Sequence, residues 1–157
     1  MNFKPLLVAW STVMIVLGVS PANAGQSINA AGTMACVSDK WDEKEPEKGH
    51  KFAEYAGRCI VIPDEANATK YVEDCAGNYE YMPDGSWKAA GSCTTDFKGG
   101  DTVSVAWEEG SQLKEYPYSY TGGTGKYKGV KGGGTYTRDD LTTTLSAGRK
   151  HGKMDLP

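Results

Sequence analysis

Closely spaced turn motifs are the feature that most constrains the fold of this chain, because they leave room only for short strands between them. Three such motifs follow one another: PDGS at 83–86, KGGD at 98–101 and EEGS at 108–111. Their glycines supply the positive φ angles that tight hairpin turns require. Between the last two motifs, Val103, Val105 and Trp107 fall on one face of a half-buried strand. This pattern predicts an antiparallel meander.

Helical periodicity is nearly absent, and eight segments show strand patterning. The predicted strands are Ile28–Ser38, Phe52–Ile62, Ala76–Met82, Trp87–Phe97, Thr102–Glu108, Gln112–Thr121, Gly133–Arg138 and Leu141–Ala147. Eight short antiparallel strands form either a sandwich or a closed barrel. Closure removes exposed sheet edges, and an eight-stranded barrel is filled by its own side chains or holds one small ligand. We therefore predict an all-β, eight-stranded antiparallel up-and-down barrel, braced by disulfides.

Two segments between predicted strands lack strand alternation. The first, DEANATKYVED at 64–74, follows Pro63 and predicts a turn or two of helix with Asp64 as its cap. The second, KWDEKEPEKGHK at 40–51, mixes four acidic residues with four lysines. Such a mixture is typical of a solvated loop, and it would be the contact surface if the chain is a partner-binding module.

The first 24 residues have the three parts of a secretory signal peptide. A short basic start at 2–4 precedes the apolar run Leu6–Val19, and Ala22-Asn23-Ala24 provides small residues at a cleavage position. The apolar run has 14 residues, fewer than the roughly 20 that a membrane-spanning helix needs. We therefore predict cleavage after Ala24, a single domain over 25–157, export to the periplasm or beyond, and no stable membrane anchor after cleavage.

All four cysteines follow the predicted signal peptide: Cys36, Cys59, Cys75 and Cys93. Their even number in an exported chain predicts two disulfides, whereas their wide spacing and the absence of a C-x-x-C pair disfavour a zinc site. Hairpin geometry favours Cys36–Cys59 and Cys75–Cys93. A two-residue loop at Asp84-Gly85 would place Cys75 opposite Thr94, so the second bridge would need one bulge residue. Pairing of Cys59 with Cys75 and of Cys36 with Cys93 is the main alternative.

The charge balance does not suggest a nucleic-acid partner. The whole chain has 17 Lys and Arg against 20 Asp and Glu, and the predicted cleavage removes only one of these charges, that of Lys4. The resulting mildly acidic domain lacks the basic patch with which proteins bind phosphate backbones.

The glycine-rich segment GGTGKYKGVKGGGTYT at 122–137 invites comparison with phosphate-binding loops. A Walker loop requires G-x-x-x-x-G-K followed by Ser or Thr, but Tyr127 follows Gly125-Lys126 and Tyr120 occupies the first glycine position. The dinucleotide motif G-x-G-x-x-G fails at Lys128. The segment instead predicts a barrel wall, with glycines where curvature or crowding excludes a side chain and Tyr127 as an aromatic anchor.

The same segment resembles the G-G-T-G-[KR]-[FY]-x-G-[AV]-x-G motif of the allene oxide cyclase and dirigent-like β-barrel proteins. The close match covers 16 residues, and a looser one extends over 102–147. The resemblance implies an eight-stranded, calycin-like barrel with a central cavity, in a small secreted protein similar to the bacterial members of this group. In such families the motif builds the wall. No catalytic residue is carried over, because the cysteine-bearing first half matches nothing in the plant enzymes.

Residues suited to acid–base or metal chemistry form no recognisable site in the sequence. His50 and His151 each lie among lysines in segments that we interpret as exposed. Adjacent acidic residues form four pairs: Asp42-Glu43, Glu73-Asp74, Glu108-Glu109 and Asp139-Asp140. Neighbours in a strand point to opposite faces, and three of these pairs lie at predicted turns, so no working carboxylate pair follows. Calcium-loop and G-x-S-x-G motifs are absent. We predict no catalytic residue, no metal site and no cofactor.

Aromatic residues are concentrated on the predicted meander, and four of them are candidate ligand-binding residues. They are Trp107, Tyr116, Tyr118 and Tyr120. The three tyrosines share one face of their strand. If that face points inward, it gives a cavity apolar walls with hydroxyl groups, which suits a small apolar or aromatic molecule. Otherwise these side chains fill the barrel or cover its outer face.

Fold and aromatic content lead to three functional hypotheses. The leading one is a non-catalytic protein that binds a small apolar or aromatic molecule, or that is chiefly structural. The second is an enzyme of the cyclase or dirigent kind that steers a reactive intermediate in the cavity, and the third is a partner-binding module. A buried carboxylate in a hollow would favour the enzyme, a purely aromatic and aliphatic lining would favour binding, and a filled barrel would favour the structural role.

Overall fold

The computed structural model describes residues 25–157, and the predicted signal peptide lies outside the described residues. The described part contains ten β-strands and one short 3₁₀ turn. The strands are β1 Gln26–Asn29, β2 Gly32–Glu47, β3 His50–Pro63, β4 Tyr71–Tyr81, β5 Trp87–Asp96, β6 Thr102–Gly110, β7 Tyr116–Gly123, β8 Lys131–Tyr136, β9 Asp139–Asp140 and β10 Leu145–Leu156, and the 3₁₀ turn is Gly125–Tyr127. Nowhere in this range does a helix reach the length and apolarity that a membrane crossing demands.

Eight of these strands close into a ring. β2 to β8 pair antiparallel in chain order, and β10 completes the circle by pairing with both β8 and β2. The first half of β10 faces β2, with Leu145 opposite Val37, and its second half faces β8, with Asp155 opposite Lys131. β1 and β9 are short additions along β10. The predicted all-β, eight-stranded antiparallel barrel is confirmed.

Side chains alternate between the interior and the outer surface along the strands of the ring. On β6, Val103, Val105 and Trp107 are all buried, as their spacing predicts. Complete burial of a valine side chain, such as that of Val103, contributes roughly 1.5–3 kcal/mol relative to leaving it exposed. On β3, Val61 is buried while its neighbour Ile60 faces solvent. The interior therefore holds the apolar core together with the polar groups of the candidate site.

The segment at 64–74 is not helical, contrary to the prediction. Bends and a turn at 64–68 lead into β4, which begins at Tyr71. The strand prevails because Tyr71 and Glu73 continue the inward alternation of Cys75, and because β3 supplies backbone partners along this stretch. The Asp64 carboxylate accepts hydrogen bonds from Arg149 at 2.9 and 2.6 Å instead of capping a helix.

The charged segment at 40–51 is a hairpin and not the predicted loop. β2 and β3 continue through it beyond the point where β10 pairs with β2. Cross-strand ion pairs replace apolar alternation here, with 2.9 Å between Lys40 and Glu54 and 2.8 Å between Glu43 and Lys51. Because most of β2 in this stretch is exposed on both faces, its sequence carries no period-two signal.

The last strand of the ring is displaced from its predicted position. β10 spans Leu145–Leu156, whereas the prediction ended at Ala147. Residues 141–144 form a turn, closed by a 2.8 Å hydrogen bond from the Leu141 N–H to the Leu145 carbonyl. The lysine-rich stretch that follows is therefore strand, and Lys150 within it is buried.

The two disulfides are Cys36–Cys59, between β2 and β3, and Cys75–Cys93, between β4 and β5. Each joins residues that lie directly opposite one another, and all four cysteines face the interior. The bulge expected beside the second bridge is not needed, because the hairpin loop has three residues, 83–85. A 2.8 Å hydrogen bond from the Met82 N–H to the Ser86 carbonyl closes that loop. Cys75 therefore opposes its partner directly instead of Thr94.

The glycine-rich segment at 122–137 forms part of the barrel wall. Its first two glycines end β7, the 3₁₀ turn follows, and three consecutive glycines at 132–134 lie in β8. A Cβ on Gly134 would collide with the carbonyl oxygen of His151 on β10, because the two backbones approach closely. Tyr127 is buried, as expected of an anchor.

Two alanine substitutions in this segment test its structural role. Gly134→Ala puts a methyl group against backbone atoms of β10, which cannot rotate away as a side chain would. We expect it to lower the free energy of unfolding, measured in denaturant melts, by about 1–3 kcal/mol, the usual cost of overpacking. Gly122→Ala is the matched control, because nothing lies within 4 Å of its added Cβ, and we expect a change within about 0.5 kcal/mol. Equal effects would contradict the wall assignment.

Candidate functional site

A cavity of about 420 Å³ occupies one end of the barrel, and we call it the first cavity. It lies inside the ring beneath the 40–51 hairpin and the 141–144 turn. Its lining combines both disulfides, several aromatic rings and a small number of charged groups. The volume falls within the range of small-molecule pockets. The barrel is therefore hollow at this end and not filled by its own side chains.

An aromatic wall lines one side of the first cavity. Its members are Trp41, Tyr55, Tyr79, Tyr81 and Trp107. The Tyr79 ring is central, with its centroid 4.9 Å from that of Trp41 and 6.2 Å from that of Trp107. Gly77 and Gly91, opposite each other on β4 and β5, provide the seat for the Trp107 indole. Because a Cβ on Gly77 would come within 2.6 Å of Trp107 Cη2, only glycine leaves room for the ring.

Four polar side chains form a hydrogen-bonded group at this end, which we call the Glu109 cluster: Tyr79, Glu109, Tyr136 and Arg138. The Glu109 carboxylate accepts hydrogen bonds from the Tyr79 hydroxyl at 2.9 Å and from the Tyr136 hydroxyl at 2.7 Å. Arg138 Nη1 lies 3.1 Å from the same carboxylate and donates to the Tyr79 hydroxyl at 2.9 Å. Burial, reinforced by the Glu109 charge, raises the pKa of both tyrosines above the ordinary value, so both hydroxyls remain protonated.

A second ion pair lies in the middle of the barrel, which we call the partition pair. Lys150 Nζ lies 2.6 Å from Glu73 Oε1 and 4.5 Å from the centre of the Tyr118 ring. The Lys150 and Glu73 side chains are only 4% and 7% exposed. Burial removes water from both charged groups, and the attraction between the two opposite charges compensates for that loss. Glu73 lines both the first cavity and a second cavity, of about 370 Å³, at the opposite end. The pair therefore separates the two.

Two residues that line the first cavity each have a buried polar atom with no hydrogen-bond partner within residues 25–157. These atoms are Trp107 Nε1 and Tyr118 Oη. A buried group left in this state typically costs about 1–3 kcal/mol. Burial raises the pKa of Tyr118 to about 12, so that its hydroxyl is a protonated donor at neutral pH. Both atoms have almost no accessible surface, so these donors lie behind the cavity surface and not on it.

The four predicted ligand-binding residues do not all face the same cavity. Trp107 and Tyr118 line the first cavity, whereas Tyr120 lines the second. Tyr116 contributes to neither lining and packs near Trp87, with 6.3 Å between the ring centroids. The ligand-binding role of these residues stays a prediction.

The two histidines lie away from both cavities. His151 is exposed, as its sequence context suggests. His50 is only half-buried and not free on the surface, because its Nε2 lies 2.9 Å from Glu80 Oε1.

Sequence reasoning missed the charged residues of the interior, which are Glu73, Glu109, Arg138 and Lys150. Two of them follow from strand parity, since Glu109 is two residues beyond Trp107 and Glu73 is two residues before Cys75. The acidic pairs that contain them lie within β4 and β6 and not at turns, so that each pair sends one carboxylate inward. Lys150 gave no such signal, because the predicted last strand ended before it.

Comparison with known proteins finds similarity of fold but not of sequence. No protein-family model matches the chain, and no curated protein matches it. The solved structure of the pterocarpan synthase dirigent protein GePTS1 matches with a TM-score of 0.53 and 10% identity, over 85% of this chain and 86% of the other. That of the pterocarpan synthase dirigent protein PsPTS1 matches with a TM-score of 0.55 and 14% identity, over 82% of this chain and 94% of the other. The dirigent part of the resemblance is supported at the level of the fold.

Two tyrosine-to-phenylalanine substitutions compare how an unpaired hydroxyl and a hydrogen-bonded hydroxyl affect the free energy of unfolding. Tyr118→Phe removes a buried hydroxyl that has no partner among the described residues, so we expect the free energy of unfolding to stay the same or to rise by up to about 1 kcal/mol. Tyr136→Phe removes a donor to the buried Glu109 carboxylate, and we expect a loss of about 1–3 kcal/mol. Denaturant melts at neutral pH measure both, and the reverse order would contradict the hydrogen-bond assignment.

Proposed function

We propose that this protein binds a small, planar aromatic molecule with a polar group in the first cavity. The observation that carries the proposal is a hollow of about 420 Å³ whose lining combines packed aromatic rings with the polar Glu109 cluster. Small-molecule pockets typically have this composition, with apolar walls and a few placed polar groups that fix orientation. Aromatic rings favour a flat ligand, because offset or edge-to-face contacts add to the area that is buried.

Charge favours a neutral ligand in the first cavity. The two buried carboxylates on its lining are each matched by a cation, Glu109 by Arg138 and Glu73 by Lys150. An additional ion would enter a low-dielectric interior without a counter-charge. A phenol or ketone avoids this cost, since it brings no charge and its oxygen can accept a hydrogen bond from a polar side chain of the lining such as Arg138.

Titration with 2-naphthol, a neutral planar phenol, tests this proposal. We expect saturable binding in calorimetry and a change in the fluorescence of the wall tryptophans. Thr143→Trp places a large ring on the exposed turn that lines the cavity, and we expect the affinity to fall about tenfold, a loss of about 1.4 kcal/mol. Gln112→Trp, on an exposed turn outside the lining, is the control and should bind normally.

A wild-type protein that does not bind 2-naphthol, or equal affinities for the two tryptophan variants, would contradict the proposal. Mass spectrometry of protein purified under native conditions adds an independent readout, because a natural ligand that fits the cavity is expected to co-purify with the wild type and not with Thr143→Trp.

A second candidate function is catalysis on the bound molecule. The buried carboxylates favour it, and the structural neighbours are named as synthases. Glu109 is the best-placed group, because Tyr79 and Tyr136 fix its position. A carboxylate held in this way can take a proton from a bound molecule and return it, while the cavity shape selects the product. Both this activity and the allene oxide cyclase part of the resemblance stay predictions.

Hydrogen–deuterium exchange on bound 2-naphthol tests the second candidate. Ring carbon C1, next to the carbon that bears the hydroxyl, exchanges through the keto tautomer. The hydroxyl proton moves to a base as a deuteron adds to C1, and the original C1 proton then leaves to a base while the oxygen takes up a deuteron. We expect the protein to accelerate this exchange in heavy water, and Glu109→Gln to remove about 100-fold of the acceleration, as measured by NMR. Glu108→Gln, on the outward face of the same strand, is the matched control. If the protein binds 2-naphthol without accelerating the exchange, the second candidate function is contradicted and the first proposal stands.

We also propose that the domain is exported. Two disulfides support this, because such bonds persist in oxidising compartments and are rare in the cytosol. The third hypothesis, binding of a protein partner through residues 40–51, stays a prediction.

A further inference from the structure

The second cavity has no role in the function proposed above. It has a volume of about 370 Å³ and lies at the end of the barrel where β1, the 64–69 segment and the 3₁₀ turn meet. Glu73 is the one residue that lines both cavities. Glu73 is held by Lys150 at 2.6 Å, so the partition pair lies where the two cavities meet, and the second cavity otherwise has a lining of its own.

Aromatic rings form one wall of the second cavity. Phe97 lies between Tyr71 and Tyr127, with ring centroids 5.8 Å and 4.7 Å apart, and is nearly parallel to Tyr127. Aliphatic side chains complete the apolar surface, namely Ile28, Pro63, Val103 and Met154. A flat ring system fits such a wall better than a flexible chain does, because it gains contact area with little loss of conformational freedom.

Positive charge lies at the edge of this cavity. Lys98 and Lys126 are exposed and line it, and Lys126 Nζ lies 4.9 Å from the centre of the Tyr127 ring. Within residues 25–157, neither lysine is in ion-pair distance of a carboxylate. Glu65 is the one carboxylate on this lining without a matching cation, because Lys150 neutralises Glu73. The lining at this edge therefore has two lysines against one unmatched carboxylate, whereas each buried carboxylate of the first cavity is matched by a cation.

We propose that the second cavity is a separate binding site for a planar aromatic carboxylate. The ring system lies against the Phe97 wall, and the carboxylate lies at the edge, where Lys98 and Lys126 supply ammonium donors. Such an arrangement keeps the ligand charge near water while its apolar part is buried, so that no ion has to cross the interior. The two cavities thus differ in ligand class, neutral in the first and anionic in the second.

Binding of 2-naphthoate, with 2-naphthamide as its neutral counterpart, tests the charge requirement. In the Thr143→Trp background, which obstructs the first cavity, we expect calorimetry to show tighter binding of the carboxylate than of the amide, and only the binding of the carboxylate to weaken as salt is added. Lys98→Met/Lys126→Met should lower the affinity for 2-naphthoate about tenfold, as the loss of two exposed ion pairs implies. Lys128→Met/Lys131→Met removes the same charge from residues outside the lining and is the matched control. Equal effects of the two double variants, or equal affinities for acid and amide, would overturn the proposal.

Methionine methyl signals locate the ligand independently of any variant. Met154 lines the second cavity, whereas Met82 lies in the hairpin turn at the other end. With carbon-13-labelled methionine, we expect 2-naphthoate to shift the Met154 methyl resonance and to leave that of Met82 unchanged. An unchanged Met154 signal at saturation would overturn the assignment. This readout does not depend on 2-naphthol binding, so failure of the first proposal and failure of this one are distinguishable.

Discussion

The barrel depends on the backbone hydrogen bonds that β10 makes on both of its sides, because without them the sheet would have two open edges. β10 meets β2 along its first half and β8 along its second. The strands approach so closely at the second contact that side chains are excluded, and Gly134 of β8 lies against the backbone of His151 and Gly152 on β10. Closure thus explains why the glycine-rich segment is rich in glycine, and it creates the enclosed interior in which the charged groups lie.

An enclosed interior imposes a strict rule on charge, which both buried carboxylates follow. Glu109 is matched by Arg138 and Glu73 by Lys150. In many proteins, replacing a buried ion pair by apolar residues of similar size does not lower the free energy of unfolding. The reason is that the attraction between the ions often fails to exceed their desolvation cost. Stability alone therefore does not account for these pairs. The Glu73–Lys150 pair lies between the two cavities, and the Glu109–Arg138 pair lies within the first.

The fold could be predicted from the sequence because its main determinants are local. Turn motifs and period-two alternation define the meander around Val103, Val105 and Trp107, which are buried as expected. The turn predicted at 108–111 lies instead at 111–115, because β6 continues to Gly110. The hairpin at 40–51 was missed because a strand exposed on both faces has no alternation to detect. The helix predicted at 64–74 lost to strand pairing with β3, a contact between segments that the local sequence does not reveal.

The candidate site was harder to predict, because it depends on which residues from distant strands meet. Parity put Tyr118 and Tyr120 on one face of their strand without showing which way that face points, and in the structure the two residues line different cavities. Parity also predicts that Glu109 and Glu73 point inward. It does not show that the cation of Glu109 comes from the segment just before β9, or that the cation of Glu73 comes from β10. Pairing across the barrel is a property of the closed ring and not of any one strand.

The position of the disulfides has a consequence for the chemistry of the first cavity. All four cysteines belong to its lining. The disulfides that brace the barrel are therefore also part of the wall of this cavity. Reduction would replace two inert bridges by four thiols, groups that attack electrophiles and bind soft metal ions once deprotonated. A change in the redox state of the compartment would therefore alter the chemistry of the cavity lining as well as the covalent bracing of the barrel.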